Sequence, residues 1–313
     1  MDASSSPIVV LGPDDAHRAV GIPSWCATVY ATRTRFPDGE QLVTLPRPEL
    51  LHGQHVLIVH TTAEPQDERL VSLCQLADAV AHAGPLSLTC FVPYLCYQRQ
   101  DRRMRAGEPL SAALPSRMLA AFGVDALMTV DRHSDRPVGP GLPRIVNLDI
   151  AADIADVVRG FDIVPDIVVA PDAGGLARAS RVAGLLELPV VALDKSKDAG
   201  RGTFYRTLPA VVRRRTCLVV EDVCSSGSTL RPLCAVLAEA GGRVTVAVTH
   251  LLAPVQVVSE KLPAVAAIIH SDSCGDANAP IKVLTPAIER WSAMTGQGQG
   301  QGPVTATATH GWP

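Results

Sequence analysis

The chain has 313 residues, 47% hydrophobic and only 4% aromatic, with a formal net charge of −3. That length suits two domains, and burial carried by Val, Ala and Leu favours parallel α/β packing over a β-sandwich. Slight acidity offers no surface for nucleic acid or membrane, and no apolar run approaches a membrane span.

The opening MDASSSP lacks the basic and apolar regions of a signal peptide. The eight cysteines show neither CxxC nor zinc-finger spacing. Reduced, mostly buried thiols in a cytoplasmic protein are expected.

In chain order, strands are expected at 8–11 and 28–34, the second running into the turn Phe36-Pro37-Asp38-Gly39-Glu40 and a return strand at 41–45. A central strand at 56–60 precedes a helix over 64–83, where Leu70, Leu73, Leu76, Ala77 and Val80 keep helical spacing up to Gly84-Pro85. A strand at 86–92 leads into the polar run Tyr97-Gln98-Arg99-Gln100-Asp101-Arg102-Arg103, with Gly107-Glu108-Pro109 after it. A helix over 111–122, a strand at 126–130 ending in Asp131-Arg132-His133 and an extended stretch at 145–148 complete the first half.

The rhythm then repeats. A helix over 149–159 is followed by a strand at 167–170 ending in Pro171-Asp172, and a helix over 174–186 opens on two glycines. A strand at 190–193 and a polar loop over 194–207 lead to the apolar strand Cys217-Leu218-Val219-Val220, ending in Glu221 and Asp222. The small polar loop Ser225-Ser226-Gly227-Ser228-Thr229 and a helix over 230–240 come next, then strands at 243–249 and 265–269 and a last helix over 286–294. This alternation predicts a doubly wound, mainly parallel α/β architecture. The first domain is expected over 1–146, joined by the last helix at about 285–295, and the second over 147–284, with a disordered low-complexity tail at 296–313.

Small hydroxyls and a glycine at a strand-to-helix turn suit a phosphate, because backbone N–H groups and the helix dipole converge there. Glu221 and Asp222 just before it suit ribose hydroxyls or Mg²⁺. Polar groups recur at strand ends (Asp131 and His133, Asp172, Lys195 and Lys197), and in a parallel sheet such ends share one edge. Taken singly, Asp172 would serve as a helix cap and the serine turn as a plain turn. Only four lysines occur, Lys195, Lys197, Lys261 and Lys282. The first two lie in a glycine-bearing loop suited to neutralising charge on a transferring phosphoryl group. No GxxxxGK[ST] loop, strand-borne G-x-G-x-x-G, HExxH or serine elbow is present. A nucleotide therefore has to be held by side chains such as Arg99 and Gln100, with Phe36 against the base.

These segments together resemble the ribose-phosphate pyrophosphokinase (PRPP synthetase) family. Phe36 to Glu40 resembles its FPDGE turn, YQRQDR at 97–102 its YxRQDR, and Asp131-Arg132-His133 its D-x-H. PDAGG at 171–175 with Arg178-Ala179 resembles PDxGGxxRA, and Asp194-Lys195-Ser196-Lys197 resembles D-K-x-R. The resemblance implies two phosphoribosyltransferase-type domains and transfer of diphosphate from Mg-ATP to ribose 5-phosphate, giving AMP and PRPP. It implies ATP contacts at Phe36, Asp38, Gly39, Glu40, Arg99, Gln100 and Asp101, and Mg²⁺ at His133 and Asp172. Lys195 and Lys197 would be catalytic. Lys197, Glu221, Asp222, Ser225, Ser226, Gly227, Ser228 and Thr229 would hold ribose 5-phosphate. A homo-oligomer with active sites shared between subunits is implied as well.

Departures are visible. Lys197 replaces an arginine, Ser225 an aspartate, Ser228 a glycine and Ala173 a histidine, while His52 and His82 fall at arginines of the family's regulatory phosphate site. The Pro- and Gly-rich 137–143 points to a differently shaped segment after His133. Alternatives are a different pentose phosphate, a PRPP-consuming transferase, or a non-catalytic regulatory paralogue. The YQRQDR and FPDGE segments argue against the transferase, and retained Lys195, His133 and Asp172 against the paralogue.

Overall fold

The structure is a computed structural model describing residues 7–134, 139–161, 164–198, 202–205 and 208–296. The expected disordered tail from 297 onward, 135–138 around the Pro-rich segment, and 199–201 and 206–207 of the expected polar loop lie outside the described residues. The chain divides into two compact units: 1–129, 136–146 and 284–313 in one, 130–135 and 147–283 in the other. The short stretch 130–135, which the sequence leaves with the first half, thus groups with the second.

Unit 1 is built on β1 (Ile8–Leu11), β2 (Ala27–Tyr30), β3 (Thr32–Arg35), β4 (Gln41–Thr44), β5 (His55–Val59), α1 (Gln66–His82), β6 (Ser87–Phe91), α2 (Leu114–Ala121), β7 (Ala126–Val130) and β8 (Arg144–Leu148). Its sheet runs β2-β1-β5-β6-β7-β8, and β2, β1, β5, β6 and β7 are parallel. The strands are near-continuous apolar runs because both faces are covered; Val9, Val10, Leu57, Ile58 and Val59 are fully buried. The single strand expected over 28–34 breaks at Ala31. Its N–H donates to the Leu11 carbonyl, where β1 ends, and the chain leaves the sheet to form the β3–β4 hairpin.

The sheet's direction of winding reverses between β1 and β5. There Asp15 is buried: Oδ1 accepts from Arg18 Nε at 2.8 Å and Oδ2 from the Thr61 N–H at 3.2 Å. His60 packs so close to Gly12 that a Cβ there would lie 2.7 Å from its ring.

Unit 2 comprises α3 (Ala151–Arg159), β9 (Ile167–Ala170), α4 (Leu176–Leu186), β10 (Val190–Ala192), β11 (Lys195–Asp198), β12 (Gly202–Tyr205), β13 (Thr216–Cys224), α5 (Leu230–Glu239), β14 (Arg243–Leu251), α6 (Val255–Lys261) and β15 (Val265–His270). The helix α7 (Leu284–Thr295) belongs to unit 1, where Thr285 Oγ1 donates to the Gly21 carbonyl at 2.9 Å. The parallel sheet of unit 2 runs β10-β9-β13-β14-β15. From β9 the chain winds one way through α4, and from β13 the other way through α5. The ends of β9 and β13 are therefore the topological switch point, where sheets of this kind take ligands.

Three expectations change here. β13 does not end at its acids: it pairs with the equally long β14 as far as Cys224↔Leu251, so Glu221 and Asp222 lie within the strand. The expected polar loop at 194–207 contains an antiparallel ribbon, β11–β12, with Lys195 opposite Tyr205. Its Ser, Lys and Gly content hides the strand pattern. α6 was not expected, since VQVVSEK is too short to show helical spacing.

Candidate active site

Asp222 lies at the switch point, 5% exposed. Its Oδ1 accepts the Val223 N–H at 2.7 Å; its Oδ2 meets His133 Nδ1 at 2.5 Å and Arg178 Nη2 at 3.8 Å. Burial alone would raise this carboxyl, but the His133 hydrogen bond and the Arg178 charge outweigh it and hold Asp222 well below the usual carboxylate range. With the Asp222 carboxylate as acceptor, the contact makes Nδ1 the proton-bearing nitrogen of His133.

Asp131, in a left-handed conformation with φ of 37°, accepts from Thr249 Oγ1 at 2.6 Å and lies 3.7 Å from Arg178 Nε. Here burial dominates and pushes the carboxyl up, although Arg178 pulls it down. Arg178, on α4, thus stands between two buried carboxylates, and its Nη2 also donates to the Arg132 carbonyl at 3.4 Å.

Asp172 does cap the turn after β9: Oδ1 accepts from the N–H groups of Gly174 and Gly175 at 3.0 and 3.3 Å. Glu221 Oε1 accepts the Asp222 N–H at 3.1 Å. In the serine turn, Gly227 has φ of +76°, a conformation glycine adopts without strain, and Ser225, Ser226 and Ser228 are exposed. Ser226 Oγ donates to Ser228 Oγ at 3.2 Å. Thr229 makes no side-chain cap on α5, but the Arg231 N–H already donates to the Gly227 carbonyl at 2.8 Å and Pro232 has no N–H, so an anion here depends on the turn's own N–H groups and hydroxyls. Lys195 and Lys197 are β11 residues, opposite Tyr205 and Thr203.

His250 on β14 is buried behind this cluster, with Nε2 donating to the Val130 carbonyl at 3.0 Å and Nδ1 2.8 Å from Ser273 Oγ. Burial pushes its pKa from 6.5 down to about 4, against the pull of Asp222. A depressed histidine costs stability once the unfolded chain binds a proton that the folded chain refuses. Stability should therefore fall from pH 6.5 to about 4, by about 3 kcal/mol from His250 alone, and then level off. Urea unfolding across that range should show a shallower fall in His250→Gln; an identical slope would refute the assignment.

The remaining expected site residues lie in unit 1. Phe36, Asp38, Gly39 and Glu40 form the exposed tip of the β3–β4 hairpin, closed by the Phe36 N–H to Glu40 carbonyl bond at 2.8 Å. Arg99 is exposed; Gln100 and Asp101 are partly buried. Gln100 Nε2 reaches Glu108 Oε2 at 3.5 Å, and that carboxylate also accepts the N–H groups of Met104 and Arg105 at 2.7 and 3.1 Å. His52 and His82 are exposed, and His82 Nδ1 bonds the Asp78 carbonyl at 3.0 Å.

Residues 24–123 match the N-terminal domain of ribose phosphate pyrophosphokinase, and 144–264 match the phosphoribosyl transferase domain. A ribose-phosphate pyrophosphokinase 1 of Streptococcus agalactiae is 32% identical over 228 residues, covering 72% of this chain and 69% of that protein. The ribose-phosphate pyrophosphokinase of Xanthomonas campestris is 34% identical over 221 residues, 69% of each chain. The chain belongs to the ribose-phosphate pyrophosphokinase family. The fold agrees: phosphoribosylpyrophosphate synthetase from Mycobacterium smegmatis superposes with a TM-score of 0.78 at 21% identity, over 93% of this chain and all of that one.

Among the described residues of this pyrophosphokinase-family chain, no group of three or more His, Cys, Asp or Glu is placed to hold a metal. Asp172 has a hard carboxylate oxygen of the kind Mg²⁺ takes, whereas an imidazole nitrogen such as that of His133 is better suited to a metal-bound water. All eight cysteines are free, and among the described residues no helix is long and apolar enough to cross a membrane.

The sequence reading gave Arg178, Thr249, His250 and Tyr205 no role. The signal for two of them was present: Arg178 in the matched PDxGGxxRA segment, and a histidine inside the apolar run of β14.

Proposed function

We propose that this protein transfers the β,γ-diphosphate of Mg-ATP to the 1-hydroxyl of ribose 5-phosphate, yielding PRPP and AMP. The observation that carries the reading is local to unit 2. A turn with three exposed serines, opening α5, adjoins Glu221 and Asp222 at the switch point, in a chain of this family. Ser225 to Thr229 bind the 5-phosphate, and Glu221 and Asp222 accept from the ribose hydroxyls. Lys195 neutralises charge developing on the transferring group, and Lys197 contacts it or the sugar phosphate. Arg99, Gln100 and Asp101 grip ATP. The exposed hairpin residues Phe36, Asp38, Gly39 and Glu40 recognise adenine in a neighbouring subunit of a homo-oligomer.

Asp172 and, through water, His133 hold Mg²⁺, which when bound offsets the phosphate charge and makes the β-phosphorus a better electrophile. The chain's own contribution is to align the sugar hydroxyl with that phosphorus and exclude water, with no covalent intermediate. A cytoplasmic location fits the free thiols.

Replacement of the family's Asp, Gly and Arg by Ser225, Ser228 and Lys197 favours one second reading, the same transfer onto another pentose phosphate. Lysine keeps the charge but loses the bidentate fork. Purified protein should release AMP from Mg-ATP only when a pentose phosphate is present. A panel of pentose phosphates ranks the acceptors, and no AMP with any of them would reject the proposal and leave the regulatory paralogue.

A further inference from the structure

The β3–β4 hairpin stands outside the six-stranded sheet of unit 1, and its tip, 36–40, is exposed throughout. The direction of the tip is therefore set at the base of the hairpin. Val43 and Leu45 bury their side chains in the core there, but apolar contact is non-directional. Direction comes from polar clamps, one on each strand. On β4, the Gln75 side chain of α1 takes the place of a further strand: Nε2 donates to the Gln41 carbonyl at 2.9 Å, and Oε1 accepts the Val43 N–H at 3.0 Å. A carboxamide carries the donor and acceptor of a peptide unit side by side, which an apolar or charged side chain does not. On β3, the Arg33 guanidinium forks onto both Asp14 oxygens, 2.8 Å each, a contact that fixes angle as well as distance. Glu68 of α1 braces both strands: Oε1 accepts from Arg35 Nη2 at 2.5 Å, and its carbonyl accepts from Gln41 Nε2 at 2.8 Å. The tip lies on the order of 10 Å beyond Val43 at about 3.3 Å per strand residue, so a tilt of about 10° at the base moves it by about 2 Å. Displacements of that size are enough to spoil recognition of a bound molecule.

We propose that Gln75 and Asp14 are positioning residues for nucleotide recognition, clamping the base of the hairpin so that Phe36, Asp38 and Glu40 meet the adenine at a fixed angle. This rests on the reading of the tip as the element that recognises adenine. Residues kept only for stability would, on loss, weaken the fold and leave the ligand preferences alone.

Gln75→Leu and Asp14→Asn each release one strand, while the buried Val43 and Leu45 keep the hairpin on its unit. Hydrogen exchange of peptides covering 36–45 and thermal unfolding are followed in the full chain with nothing added, with Mg-ATP and with ribose 5-phosphate; AMP release is then measured. In Gln75→Leu the Val43 amide should exchange about tenfold faster. In both variants the stabilisation by Mg-ATP should shrink and KM for ATP should rise about tenfold, or about 1.4 kcal/mol, with kcat, KM for ribose 5-phosphate and the response to ribose 5-phosphate unchanged. An unchanged ATP response and KM would overturn the proposal, even with faster exchange. So would an equal loss toward ribose 5-phosphate, which would assign both residues to stability. If the wild type responds to ATP but forms no AMP, the activity assignment alone fails, and the ATP responses of the variants still decide the role of the clamp. No ATP response in the wild type would overturn both.

Discussion

Lys195→Ala should fold normally and release AMP about 10³-fold more slowly than the wild type at saturating substrates, with both KM values within a few-fold. The size follows from what such a residue does. In phosphoryl-type transfer the charge on the migrating group is met by fixed cations, and one well-placed cation or donor contributes on the order of 10²- to 10⁵-fold in rate. Lys195 stands on a short two-stranded ribbon that is not part of the five-stranded sheet of unit 2. The loss should appear in kcat because the charge is greatest in the transition state. Single-turnover AMP formation, with calorimetric binding of ribose 5-phosphate, separates chemistry from binding. A variant with wild-type kcat would remove Lys195 from the mechanism.

Arg178→Met should be the most destabilising single change in unit 2. The guanidinium is the cation shared by Asp131 and Asp222, both at 5% exposure or less. Removing one partner of such a buried set typically costs about 3–5 kcal/mol, because the remaining charge stays buried without its counterion. Protonation of Asp131, already pushed up by burial, relieves part of it. The pH dependence has a definite sign. Asp222 is depressed in the fold, so its stabilising contribution is present above the ordinary carboxylate range and is lost as pH falls through its lower folded value. Asp131 is raised, so it opposes folding above the ordinary range, and Arg178→Met should strengthen that opposition as pH rises. Urea unfolding at pH 5 and 8 should show the variant losing more at pH 8. Adding Asp131→Asn should recover part of the loss; no recovery would mean that Arg178 acts through packing.

The α/β rhythm was legible because buried parallel strands are written as uninterrupted apolar runs: IVVL at β1, HVLIV at β5 and IVVA at β9. Strand pairing was less so. Nothing in TCLVVEDVC says that two acids will be carried inside a strand; that depends on the length of β14, almost thirty residues later. The ribbon bearing the lysines was hidden for a similar reason, since each of its strands is stabilised by the other and not by its own sequence. At the site, the groups expected to bind ligands stood out as charge at strand ends. The groups that hold them did not. Arg178 and Thr249 act through partners 46 to 118 positions away in sequence, and only the folded chain brings such pairs together.

The reversal point of the first sheet differs in one respect from that of the second. Where the second ends in exposed serines, the first offers its Thr61 amide to the chain's own Asp15, which Arg18 neutralises. Two halves of like design thus differ at the same place: one turns a carboxylate of its own inward onto a backbone amide, and the other presents hydroxyls outward.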